Sequence, residues 1–294
     1  MSIERARLAL EGLSTGDAFG EQLLHAGPQA RALALTHRTA PHGRVWKWTD
    51  DTAMALSIVE TLAERGGIDP ELLAQKFARR YDLDAGRGYG AGAHKVLEMI
   101  VAGMPHDAAA RILFDGQGSC GNGGGMRSAP IGAYFAGDLP AVIHHAALSA
   151  APTHAHPDGA AGAIAIAVAA AAVVAGERDP RALLETVHAH TPDGPTRHGI
   201  HHAKSPVMLR VEPVSAAAEL GNGSRVLASD TVPFAVWCAA KHLTDFAGAC
   251  WACVEVGGDV DTTCAMVGGI IAGAVGLAGI PAAWRAAREP LPPV

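Results

Sequence analysis

Two stretches of the chain, residues 159–176 and 262–284, contain no charged side chain. Each approaches the length needed to cross a bilayer. Both are built on alanine and glycine, which add little drive for insertion, and neither has Lys/Arg flanks or an aromatic belt. A helix apolar on every side must be surrounded by other protein. The two are therefore expected at the centre of a soluble domain, where their small residues let neighbouring backbones come close, and no membrane partner is expected.

Apolar residues recur at helical spacing over 3–13, 52–62, 70–80, 91–101, 139–148 and 230–243, while sustained strand-like alternation is scarce. Gly and Pro clusters break the pattern at 65–67, 84–90, 115–125 and 191–195. None is long or polar enough for an interdomain linker. The reading is one all-α, multi-helix domain over residues 1–294, with 191–229 as its longest irregular stretch.

Composition narrows the partners. Twenty-three Lys+Arg face 29 Asp+Glu, net −6, so no basic surface exists to dominate phosphate-backbone binding, and nucleic acid is not expected as a partner. Five cysteines are an odd number and fit a reducing compartment better than a disulfide framework. Cys250 and Cys253 form a C-x-x-C without a second pair or spaced histidines, so buried apolar thiols are expected rather than zinc or redox chemistry. His188, His190, His198, His201 and His202 read as a polar surface segment. Glu11 interrupts the first apolar run before it could serve as a signal core, and a cytoplasmic location is expected.

The chemistry concentrates at two helix starts far apart in the chain. Thr49-Asp50-Asp51-Thr52 precedes AMALSIVETL, and Asp259-Val260-Asp261-Thr262-Thr263 precedes the uncharged CAMVGGIIAGAVG. Asp and Thr are favoured helix caps, which explains one such residue at each place. Capping leaves a surplus, since each start offers two carboxylates and at least two hydroxyls. Carboxylates gathered at a buried helix end repel one another and lose hydration unless a cation compensates. Oxygen-only ligands suit a hard divalent ion, Mg²⁺ first, with Mn²⁺ or Ca²⁺ as alternatives. If the two starts meet, Thr49, Asp50, Asp51, Asp259, Asp261 and Thr262 can hold two ions. A rival reading takes D-x-D-x-T at 259–263 as the nucleophile motif of an α/β phosphatase. That motif belongs after a strand with Lys and further Asp downstream, and the remaining chain has neither residue.

Between these motifs, Ser119-Cys120-Gly121-Asn122-Gly123-Gly124-Gly125-Met126-Arg127-Ser128 is a glycine-rich turn leading into a helical stretch. Its exposed amides and the following dipole suit a phosphate or diphosphate, and the same glycines also suit a plain tight turn. Thr153 and His154 precede the first uncharged helix, where the imidazole either faces a pocket or caps the helix.

Taken in order, GDAFG at 16–20, WTDDT at 48–52, GNGGGMR at 121–127, Thr153-His154 and GGDVDTT at 257–263 resemble the ADP-ribosylglycohydrolase family, which includes the dinitrogenase reductase-activating glycohydrolases and the J1 crystallins. The motifs span nearly the whole chain. The resemblance implies a compact all-α orthogonal bundle with a binuclear Mg²⁺ centre at the base of a cleft for ADP-ribose. It implies metal ligation by Thr49, Asp50, Asp51, Asp259, Asp261 and Thr262. It places the substrate at Asn122, Gly123, Gly124, Gly125, Ser128 and His154.

Two positions depart from the family pattern. Val260 stands where Thr is common, at a position that need not be a ligand. Leu24 stands where family members commonly have a Glu near the metals, and Glu21, about one turn away on the same face, is the substitute. The resemblance thus implies a metal-dependent hydrolase that releases ADP-ribose from a protein side chain, arginine first, or from a small-molecule acceptor, with Glu21, Asp50, Asp51 and Asp261 as the catalytic group. The competing reading is a protein that binds ADP-ribose, or occludes a partner, without turnover.

Overall fold

The computed structural model describes all 294 residues as seventeen α-helices and one 3-10 turn, with isolated bridges but no sheet. In chain order the helices are α1 (Ile3–Leu24), α2 (Pro28–His37), α3 (Asp50–Arg65), α4 (Pro70–Leu83), α5 (Ala91–Val101), α6 (His106–Arg111), α7 (Gly123–Met126), α8 (Ala129–Tyr134) and α9 (Leu139–Ala150). They continue as α10 (Pro157–Val174), α11 (Pro180–His190), α12 (Pro195–Ala203), the 3-10 turn (Met208–Arg210), α13 (Pro213–Leu220), α14 (Ala228–Lys241), α15 (Phe246–Val256), α16 (Val260–Gly279) and α17 (Ala282–Ala287).

The two uncharged stretches become α10 and α16, and both lie mostly buried, as expected of helices that present no polar face. The second stretch is not one helix. Gly276 leaves helical geometry (φ 63°, ψ 178°), α16 ends at Gly279, and Pro281 precedes α17. Seventy-two buried apolar side chains join in one cluster, and only a satellite of three, Val96, Ala109 and Leu113, lies apart from it.

The most extensive helix–helix contact is between α1 and α16, and glycine explains how close it is. Gly12, Gly16 and Gly20 recur every four residues and so form one stripe along α1. A Cβ at Gly12 would lie 2.3 Å from Gly268 O, at Gly16 2.2 Å from Cys264 O, and at Gly20 2.7 Å from Val260 O. The two helices run antiparallel in backbone contact, so these glycines do not interrupt α1, which extends to Leu24 rather than stopping near residue 13. The contact at Gly20 sets where α16 begins.

The segment 191–229, expected to be irregular, contains α12, the 3-10 turn and α13. Prolines at the first position start both helices. Their buried faces are only Thr196, Ile200 and Ala203, and Ala216 and Leu220, too short a stripe to stand out among the histidines around it. Helix α2 is likewise not legible as a periodic segment, for none of its residues is buried.

Candidate active site

Helices α3 and α16 bring the two acidic starts together. Thr49 caps α3, its hydroxyl accepting from Asp51 N, and Thr262 Oγ1 on α16 reaches Asp51 Oδ2 at 3.4 Å across 211 residues of sequence. Asp259 sits at the N-cap of α16 but makes no side-chain cap bond. Its carboxylate instead accepts from Asn122 Nδ2 at 2.6 Å, and the same amide nitrogen donates to Thr231 Oγ1 at 3.1 Å. The surplus acids are therefore not caps.

A fifth carboxylate, absent from the sequence reading, stands behind them. Asp17, fully buried in the middle of α1, accepts from the backbone N–H groups of Thr49 (3.0 Å) and Thr52 (3.2 Å) and from the Thr52 hydroxyl. It thereby takes up orphan donors of the α3 N-terminus from outside the helix. The Thr49 hydroxyl lies 2.9 Å from Asp17 Oδ1 and 3.0 Å from Asp51 Oδ2, and its single proton serves one of them at a time. Sequence marks Asp17 only as the one charged residue between Gly12 and Gly20; what it faces is set by the packing of α1 against α3.

The electrostatics are those of an uncompensated acidic cluster. None of Asp17, Asp50, Asp51, Asp259 and Asp261 is in a salt bridge with Lys or Arg. Burial, then Asp261 and Asp17, pushes Asp50 well above the usual carboxylate range, and burial followed by Asp17 and Asp261 does the same to Asp51. Burial first, then Asp261, raises Asp259 to about 7. Burial raises Asp17 and Asp261 to about 6 against the hydrogen bonds that hold them down, and the charge of Glu21 contributes to the rise at Asp261.

Two oxygens, Asp51 Oδ1 and Asp261 Oδ1, are buried without any hydrogen-bond partner. A buried carboxylate oxygen facing no donor is a costly arrangement, and a hard divalent cation relieves it. No three His, Cys, Asp or Glu side chains by themselves converge at metal-holding geometry. A cation held here would need the hydroxyls of Thr49 and Thr262, with water, to complete its shell. Three surface cavities of about 430 to 570 Å³ lie elsewhere, and none is lined by these carboxylates.

The glycine-rich turn adjoins this cluster through Asn122. Met126 and Gly125 donate to Asn122 O, forming α7, while the amides of Gly123 and Gly124 donate to nothing in the protein. Gly121 and Gly123 lie under the His154 ring: a Cβ at Gly123 would come 2.9 Å from its Cε1. His154 is nearly buried, and burial followed by the Arg127 charge lowers its pKa to about 3, so the ring is neutral.

Other expected members fall elsewhere. Gly125 faces Met266 and Gly162 in the core with its amide already used, and Ser128, fully buried, closes its hydroxyl on Gly124 O at 2.6 Å. Both hold the turn's shape rather than line a cleft. Glu21 is partly exposed, 3.3 Å from His25 Nε2, next to the Gly20 contact with Asp261. Cys250 and Cys253 are fully buried core thiols. Because α15, a helix, precedes Asp259, the strand required by the phosphatase reading is missing.

Comparison with known proteins agrees with this layout. The ADP-ribosylglycohydrolase family model matches residues 2–291. ADP-ribosylhydrolase ARH3 of Homo sapiens is 30% identical over 82% of this chain and 74% of its own length, and the Xenopus tropicalis ARH3 is 30% identical over 98% and 91%. An uncharacterized protein of Archaeoglobus fulgidus is 31% identical over 96% and 90%. A solved structure titled ADP-ribosylglycohydrolase-related protein complex superposes with a TM-score of 0.71 at 26% identity, covering 98% of this chain and 93% of that one. With its motifs in order and its fold matched end to end, the chain belongs to the ADP-ribosylglycohydrolase family, a family of hydrolases.

Proposed function

We propose that this protein hydrolyses the glycosidic bond between the distal ribose of ADP-ribose and its acceptor, with an N-linked arginine guanidinium as the first acceptor, and that it does so with two divalent cations, Mg²⁺ or Mn²⁺. The observation that carries the reading is the pair of partnerless buried oxygens, Asp51 Oδ1 and Asp261 Oδ1, in a five-carboxylate cluster assembled from both ends of the chain.

Thr49, Asp50, Asp51, Asp259, Asp261 and Thr262 supply the oxygen donors for the cations. When bound, such ions bind sugar hydroxyls and acidify water, and they neutralise the carboxylates around them. The chain's own residues do the rest. The unpartnered amides of Gly123 and Gly124, with His154 above them, seat the diphosphate. Asn122, bonded to Asp259, ties that seat to the acidic cluster and so fixes the distance from diphosphate to distal ribose. Water attacks C1 as the C1–acceptor bond breaks through an oxocarbenium-like state. Glu21, Asp50, Asp51 or Asp261 accepts the proton of that water, and solvent protonates the leaving group. Five free thiols suit a cytoplasmic protein.

The test is hydrolysis of ADP-ribosyl-arginine, ADP-ribosyl-serine and O-acetyl-ADP-ribose, each with Mg²⁺ and with EDTA. Turnover that needs the cation, greatest for the arginine conjugate, is expected. Turnover of another conjugate corrects the acceptor. ADP-ribose binding with no turnover of any conjugate overturns the enzyme reading in favour of the binder that Leu24, in place of the family Glu, first suggested.

A further inference from the structure

The hydrogen-bond donors around His154 decide where its proton sits. Arg127 is fully buried and in no salt bridge with a carboxylate; its guanidinium lies over the Phe77 ring, 4.6 Å from the centroid. Its Nη2 donates to Ser149 O and to Thr153 Oγ1, both at 2.8 Å. An arginine has only donors to offer. Thr153 Oγ1 therefore accepts from Arg127, and it also lies 2.7 Å from His154 Nδ1.

A hydroxyl carries one hydrogen and two lone pairs. No acceptor other than Nδ1 is bonded to Thr153 Oγ1. Its hydrogen therefore points at Nδ1, which makes Nδ1 the acceptor and leaves the ring proton on Nε2. The opposite assignment would have Thr153 accept twice and orphan its own buried hydrogen, a costly arrangement. Nε2 bonds to no protein atom. It packs over the glycine turn, where a Cβ at Gly121 or Gly123 would come within 3.3 and 3.2 Å of it.

We propose that Arg127 and Thr153 are positioning residues that hold His154 as the Nε2–H tautomer and aim this N–H at an anionic phosphate oxygen resting on the turn at Asn122, Gly123 and Gly124. The proposal rests on the reading of that turn as the diphosphate seat. A neutral imidazole locked this way donates one directed hydrogen bond. The chain Arg127, Thr153, His154 gives a use to a guanidinium kept in the core despite an Nε left without a partner.

The ligand-free protein, labelled with ¹⁵N at histidine and arginine, tests the relay by NMR near neutral pH. Wild type should show His154 protonated at Nε2 only. Thr153→Val should bring in a second, Nδ1-protonated population and shift the Arg127 Nη signals, and Thr153→Ser, which restores the hydroxyl, should return to one tautomer. Calorimetry should find ADP-ribose binding weakened about tenfold in Thr153→Val and within twofold of wild type in Thr153→Ser. A wild-type ring protonated at Nδ1, or a Thr153→Val protein matching wild type in tautomer or in affinity, overturns the proposal. If the spectra behave as expected but wild type fails to bind ADP-ribose, the relay stands and the diphosphate seat is misassigned.

Discussion

Gly16→Ala separates two accounts of α1. Judged by helix propensity alone, replacing a mid-helix glycine with alanine stabilises by about 1 kcal/mol. The structure reverses the sign. A Cβ at Gly16 would sit 2.2 Å from Cys264 O and 2.8 Å from its carbonyl carbon, both backbone atoms that no rotamer change can move. Ordinary carbon contacts are about 3.5 Å, so α1 and α16 must part by about 1 Å. Overpacking of this kind costs about 1–3 kcal/mol, and it outweighs the propensity gain. The same shift displaces Asp261 and Thr262 from Asp51, and a misplacement of about 1 Å at a catalytic site costs about a hundredfold in rate. Urea denaturation and ADP-ribosyl-arginine turnover measure the two effects. Gly92→Ala is the control, since the nearest atom to its Cβ is the flexible end of Leu113 at 3.2 Å. A Gly16→Ala protein as stable as wild type, or more stable, refutes the packing argument.

Without cations the protein should become more stable as pH falls from about 8 towards 5. The folded-state pKa of Asp259 (about 7) and those of Asp17 and Asp261 (about 6) lie above that of an ordinary aspartate, so the folded state holds protons the unfolded chain has released. Each carboxylate contributes up to about 1.4 kcal/mol per pH unit between those limits; His154, depressed to about 3, and His145, His188 and His242, which burial also lowers, oppose below about pH 6.5. Thermal melts with EDTA should show the trend and saturating Mg²⁺ should flatten it; a melt independent of pH in EDTA contradicts the cluster. Asp17→Ala, which removes the acceptor of the N–H groups of Thr49 and Thr52 and leaves them buried without a partner, should lower stability by about 1–3 kcal/mol and weaken Mg²⁺ binding in calorimetry. Glu21→Gln should reduce kcat at least tenfold with ADP-ribose affinity kept; unchanged turnover removes Glu21 from the catalytic group.

The acidic cluster was partly legible because four of its carboxylates lie in two short runs, each at the start of a strongly apolar helix. Asp50 and Asp51 announce themselves as more acid than a cap requires. Asp17 does not, since a lone Asp in GDAFG says nothing about what it faces until α1 is laid against α3. The glycine turn shows the same limit: spacing marked 121–128 as special, but Gly125 and Ser128 proved to face the core while Gly123 and Gly124 keep free amides. Arg127 was hidden for the reverse reason, because a charged residue beside an apolar run reads as surface, whereas here it is enclosed by Phe77, Met54 and Ser149.

Local rules thus settled the all-helical class, the two central helices and the sites where carboxylates crowd, because periodicity, the lack of charge and capping chemistry act over a few residues. Tertiary structure alone decided which carboxylates meet, which glycines pack against backbone and which keep unpaired amides, and which groups surround His154. Those outcomes depend on contacts between α1, α3, α7 and α16, segments up to some two hundred residues apart, and no local propensity encodes them.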